Sequence, residues 1–150
     1  MDQTCMQDEN EDGEASAAPM IVATRVAEGR RYDFLYRQLA TDFIRFESLA
    51  FMHLGNASED YHGGTWDFYT LSNGGFYMAP SAPESFRLCC PGNGYEGTVS
   101  ADAAGIFACS MALSHLSFTA STERPAHRFY LLRAFYKRHA EASALLRALD

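Results

Sequence analysis

The twenty residues from Tyr61 to Pro80, YHGGTWDFYTLSNGGFYMAP, carry six aromatic side chains and four glycines. Their middle part alternates. Trp66, Phe68 and Thr70 fall on one side, Asp67, Tyr69 and Leu71 on the other, which is the period-two pattern of a strand. Ser72-Asn73-Gly74-Gly75 follows, a loop of residues that tolerate positive φ, and Phe76–Ala79 reads as a second short strand. The spacing predicts a β-hairpin closed by a four-residue loop. Pro80, with no amide proton to donate, ends the pairing.

Around this hairpin the apolar period changes to that of helices. Phe43, Phe46, Ala50, Phe51 and Leu54 recur at steps of three and four, predicting a helix over about 41–54. Thr41 or Asp42 is placed to cap its first amides, and Gly55-Asn56 to stop it. A shorter turn or helix precedes it over 34–39, and Ile21–Arg31 reads equally as a short strand or an ordered arm. After the hairpin, SFRLCC predicts a further strand, PGNGYEG a turn, and Thr98-Val99 a short return.

Ser100 or Asp102 then opens a helix with the apolar stripe Ile106, Cys109, Leu113 and Leu116. Its first turns are crowded with small residues. Glycine inside a helix costs about 1 kcal/mol against alanine, so Gly105 predicts a close approach of another element. Two more helices are expected, over 127–138 and 141–149. The order makes an α+β fold, a small antiparallel sheet packed against several helices.

Charge divides the chain. Residues 1–24 hold six acids and no base, whereas residues 25–150 hold 13 acids and 12 bases. Residues 1–20 therefore read as an acidic disordered tail, and 21–150 as a single domain of nearly neutral charge. Such a body has neither the broad basic field of a nucleic-acid binder nor the dense carboxylates of a DNA mimic. No apolar run is long enough to span a membrane, and the N-terminus lacks the pattern of an export signal, which gives a cytoplasmic expectation. The four cysteines, at 5, 89, 90 and 109, match no zinc or redox spacing, and Cys109 reads as a small buried hydrophobe. No metal and no cofactor is implied.

Three constellations could carry function. Glu59, Asp60 and His62 offer carboxylates and an imidazole for acid–base chemistry, as in a small hydrolase, although no spaced metal set or nucleophile motif accompanies them. Arg124, Arg128, Arg133, Lys137 and Arg138 could form a basic strip for weak nucleic-acid binding, and equally a solvated helix face. The hairpin could place one face in the core and expose Tyr69, Tyr77 and the tip Ser72, Asn73, Gly74 and Gly75 for docking.

The segments GGTWDFYTLSNGGFYMAP, GNGYEGTVSADAAGIFACSMALSHL and RFYLLRAFYKRHAEASALLRALD, with TDFIRFESLAFMHLGNASEDYHGG upstream, resemble the antirestriction family of the ArdB and KlcA type. The resemblance covers roughly residues 30–150 and leaves the acidic tail outside. It implies a small α+β protein, without catalysis or cofactor, that protects incoming DNA from type I restriction. The implied partner is the host restriction–modification complex, met directly or indirectly. The nearly neutral body adds the expectation of protein interaction over DNA charge mimicry, with no strong DNA binding. The family pattern falls on the strand residues Trp66, Phe68, Tyr69, Leu71 and Phe76 to Pro80, and on the tip 72–75. It falls also on Asn93, Gly97, and Ser100 to Gly105, including Asp102. Thr65 departs from it, standing where an aromatic is commoner, and Cys89-Cys90 has no counterpart in the pattern.

Overall fold

The computed structural model describes residues 19–150. The expectation of a disordered acidic tail over 1–20 falls, up to residue 18, outside the described residues.

The hairpin forms as its alternation predicts, except that Pro80 does not end the pairing: it lies opposite Trp66, and the Ser81 amide still donates to the Thr65 carbonyl. Strand β2 (Trp66–Leu71) pairs antiparallel with β3 (Phe76–Pro80), with Tyr69 opposite Tyr77 and Trp66 opposite Pro80. The loop closes through the Gly74 amide on the Leu71 carbonyl and the Leu71 amide on the Gly75 carbonyl. Gly74 takes φ +94°, the left-handed conformation that its lack of a Cβ allows. The ambiguous segment near residue 21 resolves as a strand. β1 (Ala23–Arg25) pairs antiparallel with β2, and the order is β1-β2-β3.

The later strands form a second sheet. β4 (Ser85–Cys90) pairs with β5 (Tyr95–Ser100) and makes no ladder with the first three. Single-chain alternation cannot show this division, because it fixes faces and not partners. The return strand also begins earlier than expected, at Tyr95, whose ring is buried.

Five α-helices among the described residues surround these sheets. α1 (Arg31–Leu39) leads through a 3-10 turn, Ala40–Asp42, into α2 (Phe43–Ala57). Asp42 holds the cap position without a side-chain bond to the helix, so the expected capping is not made. α2 also runs past Gly55-Asn56 to Ala57. Ala57 and Ser58 are buried, and the Ser58 amide donates to the Leu54 carbonyl, so tertiary anchoring outweighs the local stop signal.

α3 (Ala101–Ser117) is the central element. The Ser100 hydroxyl accepts from the Ala103 amide as its N-cap. The helix has no single apolar stripe: every residue from Ala103 to Ser110 is buried. It packs against α2, β3 and α4 (Arg124–Tyr136), and it touches α5 (Ala142–Leu149) and the second sheet. α4 starts three residues earlier than its apolar period suggests, with Pro125 in its first turn, where a missing amide proton costs nothing. Asn93 of the β4–β5 turn donates to the carbonyls of Ala148 and Asp150, which ties that turn to the end of α5. No described helix is long and apolar enough to cross a membrane.

Gly105 meets the expectation of close approach. A Cβ there would lie 2.4 Å from both the Ala79 Cα and the Met78 carbonyl oxygen, so backbone meets backbone. One turn on, the Cys109 thiol donates to the Met78 carbonyl and accepts from the Met78 amide, each at 3.3 Å, inside the core. Gly105→Ala would gain about 1 kcal/mol of helix propensity but must push α3 off β3, and overpacking runs to ~1–3 kcal/mol or more. Urea unfolding should show a net loss of about 2 kcal/mol; an unchanged or raised midpoint would show that the contact is not tight.

Candidate interaction surface

The expected docking face is partly buried. Tyr77 is 2% exposed, because α4 covers the hairpin. The Tyr77 ring lies against Tyr69 at 4.8 Å between centroids and against Phe135 of α4 at 5.7 Å, both stacked. Gly75 is buried as well: a Cβ there would meet Leu131 Cβ at 2.9 Å. Asn73 explains this docking. Its side-chain amide donates to the Leu131 carbonyl at 2.9 Å, and its Oδ1 accepts the Gly75 amide at 2.9 Å. The tip is thus latched to α4. Tyr69 is half-buried, whereas Ser72 and Gly74 are exposed, with the Ser72 hydroxyl accepting from the Val22 amide. Exposure therefore holds for part of the expected set and fails for Tyr77 and Gly75.

Behind the rings runs a polar chain. The Tyr77 hydroxyl donates to Asp102 Oδ1 at 2.7 Å, and His139 Nε2 lies 2.8 Å from Asp102 Oδ2. The Glu141 amide donates to His139 Nδ1 at 2.9 Å. An amide can only donate, which leaves the imidazole proton on Nε2, facing Asp102. The Glu141 carboxylate takes the Ser100 amide at 2.9 Å and the Ser100 hydroxyl. The chain links β3, the start of α3 and the α4–α5 connection.

Each proton affinity follows from this geometry. Burial alone would push the Asp102 carboxyl up, but the bonds from His139 and Tyr77 outweigh it and hold the group below its ordinary value. The Asp102 bond draws His139 upward, against its burial. Burial, and then the Asp102 bond, push the Tyr77 phenol upward. Sequence reading found Tyr77 and Asp102 but missed Phe135, His139 and Glu141. They lie between 37 and 58 positions away, and no local period signals such contacts.

The Glu59, Asp60 and His62 constellation is not brought together, and the basic strip is partly tied back to α1. Asp60 Oδ2 accepts the Arg87 amide at 2.8 Å, and Glu59 shares an open cleft with it, but His62 is exposed and does not line that cleft. No catalytic triangle of Glu59, Asp60 and His62 forms. In the basic strip, Arg128 Nε donates to Gln38 at 2.6 Å and Arg124 to the Arg37 carbonyl at 3.4 Å, binding α4 to α1. Burial, and then Arg124, lower the Arg128 proton affinity. Arg138 reaches the Pro19 carbonyl at 3.4 Å, and Arg133 and Lys137 are exposed.

The comparisons with known proteins follow the same hairpin and helices. A family model described as antirestriction protein matches residues 59–150. The chain belongs to the antirestriction protein family. An Escherichia coli antirestriction protein KlcA is 47% identical over 137 residues, 87% of this chain and 94% of its own. A second E. coli KlcA is 40% identical, over 87% of this chain and 95% of its own. A chain from the solved structures of the KlcA and ArdB proteins superposes with a TM-score of 0.81 at 36% identity. It covers 89% of this chain and 99% of that one. Those proteins show a novel fold and antirestriction activity against Type I DNA restriction systems in vivo but not in vitro. Both ends of the Tyr77–Asp102 bond fall within the matched span of this antirestriction chain.

The Asp102 carboxylate should set part of the acid stability. Its bonus is present above the unfolded carboxyl pKa, about 3.9, and is lost as pH falls through the lower folded value. Asp102→Asn should therefore be less stable than wild type at pH 7, with the gap closing below about pH 4. Tyr77→Phe should cost about 1.5 kcal/mol at pH 7, the low end for a hydrogen bond to a charged group, because Asp102 keeps solvent contact. Chemical denaturation across that pH range reads both effects.

Proposed function

We propose that this protein relieves type I restriction of incoming DNA, acting in the cytoplasm through contact with another protein and without turnover of a substrate. The observation that carries the reading is the likeness, along nearly the whole chain, to proteins with this activity in vivo. Their inactivity in vitro favours dependence on something that the cell supplies. The host restriction–modification complex is then met in the company of a further component, or through one.

Charge supports protein contact over DNA mimicry. Residues 25–150 carry 13 acids against 12 bases, too balanced to imitate the one charge per ~1.7 Å of a duplex. Direct DNA binding is disfavoured by the same balance and by the tethering of Arg124 and Arg128 to α1. The polar chain behind the hairpin supports a non-catalytic role. Both imidazole nitrogens of His139 are bonded, so neither is free to move a substrate proton. In this reading residues 21–150 act as one antirestriction domain. Tyr69, Ser72 and Gly74 meet the partner, while Asn73, Gly75, Tyr77 and Asp102 hold them in shape.

The test is the plating efficiency of unmodified phage on cells with an active type I system, with and without the protein. Wild type should restore plating. A folded Tyr69→Ala should lose about tenfold of that relief, as for a contact worth ~1.4 kcal/mol. No relief by wild type against several type I systems would remove the reading.

A further inference from the structure

On the side of the molecule formed by the end of α2, the β4–β5 hairpin and α5, two clefts of about 330 and 390 Å³ adjoin. They share Asn56, Ala57, Cys89 and Pro91, and so make one groove. Its chemistry changes along its length. One end is mostly apolar, lined by Phe107, Met111 and Leu149, with His53, Asn93 and Asp150 also on its wall. The other is edged by Glu59, Asp60 and Glu96, opposed by Arg87 alone.

The acidic end is only partly neutralised. Arg87 spends its amide on Asp60 and its guanidinium on Glu96, at 3.4 Å. Glu59 is exposed and has no ion-pair partner among the described residues. Three carboxylates against one guanidinium leave an excess of two negative charges beside an apolar trough. Phosphate-rich ligands are repelled by that sign, while a lone cation leaves the trough unfilled. A chain segment that carries both chemistries in succession matches both halves.

We propose that this groove docks an extended cationic–apolar segment of a partner protein. Lysine or arginine would lie at Glu59, Asp60 and Glu96, and a bulky aliphatic or aromatic side chain over Phe107 and Met111. The inference goes beyond the hairpin contact proposed for restriction relief and gives the chain a second protein-docking site, since Tyr69, Ser72 and Gly74 do not line the groove. The apolar cleft is at the small end of the range for ligand pockets, ~300–1,000 Å³, enough for one or two side chains and too small for a folded domain. The docking is peptide-like and salt-sensitive.

Cys89 provides a reporter, since its exposed thiol lies where the two clefts meet. The full chain would be alkylated with iodoacetamide and the rate at each cysteine read by peptide mapping, with Cys5 as the internal control. The probes are a synthetic peptide of alternating lysine and leucine, the same peptide with glutamate for lysine, and a short DNA duplex. The lysine peptide should slow Cys89 and not Cys5. Glu59→Lys should weaken that protection about three- to tenfold, as expected for reversing one exposed charge.

No slowing at Cys89 would overturn the proposal, as would slowing confined to Cys5, equal protection by the glutamate peptide or the duplex, or indifference to Glu59→Lys. None of these outcomes touches restriction relief, which plating decides separately.

Discussion

The structure depends on one steric fact: α3 lies so close to β3 that only hydrogen fits between Gly105 and the Ala79 backbone. Close approach places Cys109 where its sulfur serves both the amide and the carbonyl of Met78. It also sets Asp102 under the Tyr77 hydroxyl. Because α3 is buried on every side over Ala103–Ser110, α2, α4 and α5 take their places from it, and α1 packs in turn on α2 and α4. Dispersion and burial grow with such contact, but so does sensitivity, since a densely packed centre leaves no slack for an added methyl.

That constraint explains what was legible in the sequence. The hairpin could be read because alternation and Ser-Asn-Gly-Gly act over a few residues. Gly105 could be read because a glycine inside an apolar helix is costly and demands a reason. The division into two sheets could not, because alternation fixes faces and not partners; nor could the burial of Tyr77, which depends on Phe135 arriving from far along the chain. The stop expected at Gly55-Asn56 failed for a related reason: burial of Ala57 and Ser58 outweighed a local preference of about 1 kcal/mol. Of the candidate surface, the hairpin geometry was legible and the exposure of its side chains was not.

The hairpin therefore acts as a supported platform. Tyr69 rests on Tyr77, Tyr77 on Phe135, and the tip is fastened by Asn73. A surface held this way loses little freedom when it meets a partner. The five-group chain from Tyr77 to Ser100 has the same effect on the start of α3. Its members resemble catalytic furniture in type, yet each bond is internal and already made.

The first strand of the domain and its flanks have a practical side. Between Val22 and Val26 this segment lies along β2, with the Val26 amide on the Phe68 carbonyl and the Ser72 amide on the Val22 carbonyl. Without it, a strand containing Trp66, Phe68 and Leu71 would present an open edge, the kind of template along which chains associate. A truncation meant to ask what the acidic segment does must therefore stop short of Ile21. Cut further in, the shortened protein would report on its own aggregation instead.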